Sequence, residues 1–249
     1  MTFTPVRQNR ISVEIVNQLR AAILSGRYPP GRRMPTEREL TAQFQASRVV
    51  VREALRELEI KGLVKILQGP TGGAYVTELS FDHLSNAFLD LFLCNKLSVA
   101  ELIRTRILIE CEIVRLAAGR TTAESAERLE AALEAEGSGG LPHPDLVATR
   151  LVVHRLLAEM SANRLLQAIA DSLFQLTGEV ILEVKPVAEV IHRRSEHAAI
   201  VRAVLAGDRE SAAAAMRRHL ELMGRKLIAL EGVYRKRRGL KTGPQEETA

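Results

Sequence analysis

Apolar side chains recur every three or four residues through most of this chain, which is the spacing of amphipathic helices. In ISVEIVNQLRAAILSG (11–26), Ile11, Ile15, Leu19, Ala22 and Ile23 share one helical face, and Gly26 with the following YPPG ends the run. Thr36 and Glu39 have the spacing of a capping box, so a short second helix starts at Thr36 and ends near Phe44. After the turn QAS, Ser47 is a natural cap for RVVVREALRELEIKG, with Val51, Ala54, Leu55 and Leu58 as its apolar face and Gly62 as its stop. The period then changes. LVKIL and AYVTEL, around QGPTGG, read as the two arms of a β-hairpin. Three helices followed by a hairpin is the order of a winged helix-turn-helix.

Beyond the hairpin every segment returns to the helical period. FDHLSNAFLDLFLCN (81–95), SVAELIRTRILIECEIVRLAAGR (98–120, with Ser98 and Glu101 as a capping box) and TAESAERLEAALEAE are amphipathic, and GSGGLPHP (137–144) is a loop by composition. DLVATRLVVHRLLAEMSAN follows. Asn163 can cap RLLQAIADSLFQLTGEVILEV, and Pro186 breaks or bends the chain. Two last helices are separated by Gly207, a stop, and Asp208, a cap. The expected fold is mainly α: a winged helix-turn-helix at 1–78, an all-α bundle of about seven helices at 79–232, and a basic, solvated, disordered tail at 233–249.

Composition agrees with this pattern. The 249 residues are 46% hydrophobic but only 4% aromatic, with no Trp, which suits helix-on-helix packing. Cys94 and Cys111 lack a zinc spacing and read as reduced thiols of an intracellular protein. No leader opens the chain and no uninterrupted apolar run approaches 18 residues, so the expectation is a cytoplasmic protein without a membrane span. The net charge of +5 is unevenly placed: residues 1–78 hold 12 basic and 7 acidic side chains, and the remainder holds 23 of each. A basic module joined to a neutral one is the footprint of a nucleic-acid binder with a second task.

In a winged helix-turn-helix the third helix enters the major groove by its N-terminal end. Arg48 and Arg52 stand there one turn apart, each able to grip guanine O6 and N7 or a phosphate, and Arg38 near the start of the second helix suits a phosphate. The segments SGRYPPGRRMPTEREL and SRVVVREALRELEIKGLV closely resemble the DNA-binding domain of the GntR family of bacterial transcription regulators. The resemblance implies operator contacts from Arg38, Ser47, Arg48 and Arg52, with Gln68 and Gly69 at the wing tip reaching toward the minor groove of a palindromic operator.

His154, His197 and His219 each share a helical face with apolar residues. A single such histidine is usually a core residue, but three on three helices of one bundle can converge on an interior site for zinc or nickel. ELIRTRILIECEIVRLAA, HRLLAEMSANRLL and SEHAAIVRAVLAGDRESAAAAMRRHL resemble the FCD effector domain of the FadR subfamily of GntR regulators. The resemblance implies a dimer that senses a small anionic metabolite, an organic acid or acyl-CoA. It also implies three metal-binding histidines at His154, His197 and His219 and an Asp four residues before the first, where this chain has Arg150. Two readings follow. Either the three histidines hold a metal whose shell water or effector completes, or Arg150 replaces the cation and binds the anion itself. Arg106 matches an arginine that faces the family's effector pocket, although an intrahelical pair with Glu110 or Glu101 is equally natural, and Arg150 can snorkel to the surface. The resemblance adds Asn163 to this candidate effector set. Ligand-relieved repression is the expected mode. Two alternatives are a metal-dependent hydrolase with Glu196 as its acid/base and a ligand-independent architectural DNA binder.

Overall fold

The computed structural model describes residues 9–69, 72–78, 82–137, 142–184 and 194–240. By its contacts the chain divides into two units, Met1–His83 and Leu84–Ala249. In the first, α1 (Asn9–Leu24), α2 (Glu37–Phe44) and α3 (Arg48–Ile60) precede the antiparallel pair β1 (Val64–Leu67) and β2 (Gly73–Val76). Local chemistry sets the boundaries. The Thr36 hydroxyl and the Glu39 carboxylate close the capping box of α2, and Ser47 Oγ accepts from Val50 N at the head of α3. Gln45 ends α2 in the left-handed conformation. Val64 faces Val76 and Leu67 faces Gly73 in the hairpin register, and residues 31–34 run along the other edge of β2 through Gly31 N to Val76 O and Met34 N to Ala74 O.

The core of this unit is made by Ile15, Val16, Leu19 and Ile23 of α1 against Val51, Ala54, Leu55 and Leu58 of α3, closed by Leu40, Val64 and Val76. Ile11, expected on the apolar face of α1, is 53% exposed, and Val16 fills the core instead. Ile15, Leu19 and Ile23 are buried as expected, and Ser12 and Val16 beside them widen the buried stripe while its first residue stays exposed.

The second unit contains α4 (Asp82–Leu93), α5 (Val99–Ala118), α6 (Ala123–Glu136), α7 (His143–Met160), α8 (Arg164–Val184), α9 (Arg194–Leu205) and α10 (Arg209–Arg237). Capping motifs start most of them. Ser98 with Glu101 heads α5, Thr122 with Ser125 heads α6, and Asn163 Oδ1 accepts from Leu165 N and Leu166 N at the start of α8. Gly207, at φ +71°, turns the chain out of α9, and Asp208 caps α10 through Ser211 N. The loop expected at 137–144 is shorter at its end: α7 starts at His143, with Pro144 in its first turn, where a missing N–H costs nothing. Pro186 lies outside the described residues.

α8 is apolar enough and, at 21 residues, long enough to cross a membrane by composition, but just over half of it is buried and it packs against α5, α7 and α10 as a core helix. α5 and α10 pack most closely: a Cβ on Gly224 would lie 2.5 Å from Ile103 Cγ2, so glycine permits that approach.

The expected solvated tail is corrected over its first residues. α10 continues to Arg237, and Tyr234 and Arg235 are buried. Arg235 pairs with Glu231 at 2.6 Å, donates to the carbonyls of Phe92 (3.4 Å) and Leu97 (3.0 Å), and lies over the Phe92 ring. Arg238 pairs with Glu183 at 2.9 Å. A buried guanidinium is tolerated because its donors are met. Residues 241–249 lie outside the described set.

Candidate functional site

In the helical unit the side chains of α5, α6, α7, α9 and α10 meet at three imidazoles. His154 on α7, His197 on α9 and His219 on α10 are each at most 1% exposed. The Nε2 atoms of His154 and His197 lie 3.1 Å apart, and those of His197 and His219 lie 3.3 Å apart. Every outward nitrogen meets a carboxylate: His154 Nδ1 with Glu110 at 2.5 Å, His197 Nδ1 with Glu136 at 2.6 Å, and His219 Nδ1 with Glu196 at 2.9 Å. A carboxylate accepts, so each Nδ1 carries the hydrogen, and in the neutral ring Nε2 then holds a lone pair. Three lone pairs facing one another at these distances repel unless positive charge lies between them. Carboxylate-backed imidazoles with inward Nε2 atoms are the donor set for a divalent metal such as zinc or nickel, and the ligand atoms of all three lie within 4.8 Å of one another. The residues fit the ion.

Arg106 and Glu110 extend the site along α5. Both are 1% exposed. Arg106 Nε donates to Glu110 Oε1 at 2.6 Å and Nη1 donates to Thr177 Oγ1 at 3.1 Å, with the guanidinium over the Phe174 ring. Burial by itself would raise the Glu110 carboxyl, but the charges of Arg106 and His154 and their hydrogen bonds override it and hold it at about 2. Burial pushes His154 below its ordinary value against the pull of Glu110, which keeps the ring neutral and fit to be a ligand. Arg106 Nη2 is buried and has no hydrogen-bond partner among the described residues. An unmet guanidinium N–H in such a place is costly, and a carboxylate is its natural complement.

The intrahelical pair expected for Arg106 is therefore present, and the same residue also borders the histidines; the two readings are not exclusive. Arg150, one turn before His154 on α7, is half-buried, unlike the three histidines. Asn163 is not brought to this site: it is exposed, and its amide oxygen caps α8. The hydrolase alternative loses its acid/base, because Glu196 is engaged by His219 Nδ1. Glu136 was not singled out from sequence. It is one acid among many on α6, 61 residues from its histidine, and only the packing of α6 against α9 gives it a role.

In the first unit, Arg48, Val49, Arg52, Glu53 and Arg56 line an open groove along the outer face of α3. Arg38 is exposed on α2. Ser47 is the α3 cap. Gln68 and Gly69 lie just past β1, in a groove they share with Arg52, Arg56 and Glu37. Arg52 is already engaged: its Nε and Nη2 donate to the two oxygens of Glu37 at 3.2 and 2.9 Å.

Comparison with known proteins accords with both halves. Residues 11–76 match the family model of bacterial regulatory proteins of the gntR family, and residues 101–222 match that of the FCD domain. The chain is 32% identical over 204 residues to the HTH-type transcriptional regulator LutR of Bacillus subtilis, covering 80% of this chain and 92% of that protein. It is 30% identical over 230 residues to the HTH-type transcriptional repressor NanR of Cronobacter sakazakii, covering 87% and 85%. Its fold resembles that of Streptococcus agalactiae GntR, with a TM-score of 0.63 at 24% identity over 86% of this chain and 99% of that one. The chain belongs to the GntR family of bacterial transcription regulators and carries a winged helix-turn-helix followed by an FCD domain.

Proposed function

We propose that this regulator is a cytoplasmic homodimeric repressor of a palindromic operator, released by a small anionic metabolite bound beside the three histidines. Residues 1–78 bind the operator through Arg38, Ser47, Arg48, Arg52, Gln68 and Gly69. Residues from 79 onward dimerise and bind the effector. Two-fold symmetry in the protein matches two half-sites, and repression agrees with the name of the NanR relative. The observation that carries the effector reading is the ring of Glu110, Glu136 and Glu196 behind the imidazoles. Arg106 pairs with one of these carboxylates, Glu110, and the inward Nε2 atoms of the three histidines suit a cation that would offset the others and draw an anion in. Of the two readings of the histidines this favours the metal. His154, His197 and His219 would hold zinc or nickel, which when bound supplies the positive charge that attracts a carboxylate. Arg106 Nη2 orients the anion from the side.

The test is fluorescence anisotropy of the full chain with duplexes selected from a random library. Salt-sensitive, sequence-specific binding is expected, weakened by Arg48→Ala by about 1–3 kcal/mol. A panel of hydroxy, dicarboxylic and sugar acids with zinc present should contain members that release the duplex. Binding without sequence preference would sink the regulator reading. Operator affinity indifferent to every acid, with and without metal, would leave a ligand-independent DNA binder.

A further inference from the structure

Arg52 has five N–H donors, and in this structure one edge of its guanidinium is already used. Nε and Nη2 donate to both oxygens of Glu37, the first residue of α2, at 3.2 and 2.9 Å. The pair spans two helices of the helix-turn-helix and lies at the surface, with side-chain exposures of 57% and 39%. As a bidentate pair it can add modestly to the contact between α2 and α3, a contact that also has Leu40 in the core beneath it, but its geometry has a second consequence. The hydrogen bonds from Arg52, with the charges of Arg52, Arg48 and Arg56 added, hold Glu37 below the usual carboxylate range against slight burial, so the carboxylate is ionised at neutral pH.

What the pair does is fix a direction. A free arginine has several rotatable bonds and presents either edge, or its charge alone, to whatever anion is near. With Nε and one Nη2 hydrogen held by Glu37, the remaining pair of parallel donors is the end edge, Nη1 and Nη2. That edge matches guanine O6 and N7. It is poorly suited to serve as a diffuse phosphate clamp, because the Glu37 charge offsets that of Arg52 and would itself be repelled by phosphate.

We propose that Glu37 is a positioning residue for DNA reading: it holds Arg52 edge-on, so that Arg52 reads one guanine per half-site and does not bind phosphate. The inference rests on the operator-binding reading of α3. Arg48, the other arginine at the head of this helix, has no such carboxylate partner among its described contacts, so the two arginines have different tasks. Arg52 contributes specificity, and its net contribution to sequence-independent affinity is small.

The experiment compares wild type, Glu37→Gln, Arg52→Ala and the double variant, all as full chains, by binding-site selection and by anisotropy on the selected duplex and on random DNA. Thermal melting controls for folding. In Glu37→Gln one guanine position per half-site should lose its preference by about tenfold, the scale of one bidentate contact, while affinity for random DNA stays level or rises. Replacing that guanine by 7-deazaguanine, which removes the N7 acceptor, should weaken wild type and leave Glu37→Gln nearly unchanged. Arg52→Ala and the double variant should bind alike. A Glu37→Gln variant that keeps the wild-type consensus, or that gains affinity equally on every sequence with a steeper salt dependence, overturns the proposal and makes Arg52 a phosphate contact. Wild type selecting no sequence would instead overturn the operator reading on which it rests.

Discussion

Glu110 accepts from Arg106 on one oxygen and from His154 on the other, with no solvent to substitute for it. In Glu110→Gln the amide cannot neutralise Arg106, and chemical denaturation should show a loss of about 3–5 kcal/mol, the cost of leaving a buried charge uncompensated. The pH dependence has a defined sign. The folded carboxyl titrates at about 2 against an ordinary 4.5, so its stabilisation is complete above about 4.5 and lost as pH falls toward 2. His154, held by burial below its ordinary 6.5, acts in the same direction from about 6.5 downward. Metal-stripped protein should lose stability on acidification through this window, with a shallower slope below pH 4.5 in Glu110→Gln. Equal slopes would show that Glu110 is not ionised in the folded protein. Arg150 gives the second prediction at this scale. A fixed cation where the resemblance to the FCD domain implies an Asp opposes a metal by charge. Competition titration should therefore find Arg150→Asp binding zinc more tightly than wild type, and equal affinities would mean that residue 150 does not face the ligand atoms.

At the scale of elements, sequence is most informative where the chemistry is local. The capping boxes at Thr36 with Glu39 and at Ser98 with Glu101, and the Asn163 cap, are contacts three residues or fewer apart, and all are present as read. The histidines too were legible, because helical spacing places them among buried positions. The end of α10 was not. Arg235 reads as part of a basic run, and its burial depends on the Phe92 and Leu97 carbonyls, 143 and 138 residues away. This makes truncation informative. Ending the chain after Gly232 should destabilise the helical unit by several kcal/mol, since a buried Tyr and a satisfied buried Arg are removed together. A melting temperature equal to that of the full chain would mean that the packing of Tyr234 and Arg235 contributes nothing.

For the whole molecule, the three-histidine centre ties five helices of one unit together through side chains alone. A metal that binds only the folded state must raise its melting temperature with concentration. Zinc should raise the Tm of wild type and fail to do so in His154→Ala, and no zinc-dependent shift in wild type would remove the metal from the reading. By itself the sequence determined the order of elements, the basic winged helix, the helical bundle and the identity of the three histidines. These follow from periodicity, caps and charge, which act over a few residues. Only the tertiary structure decided that each imidazole is backed by its own carboxylate, that Glu110 serves Arg106 and His154 at once, and that Glu37 holds Arg52. Those pairings join residues between 4 and 61 positions apart on different turns or helices. Which acid faces which base there is set by how helices pack, a property that no local stretch of sequence carries.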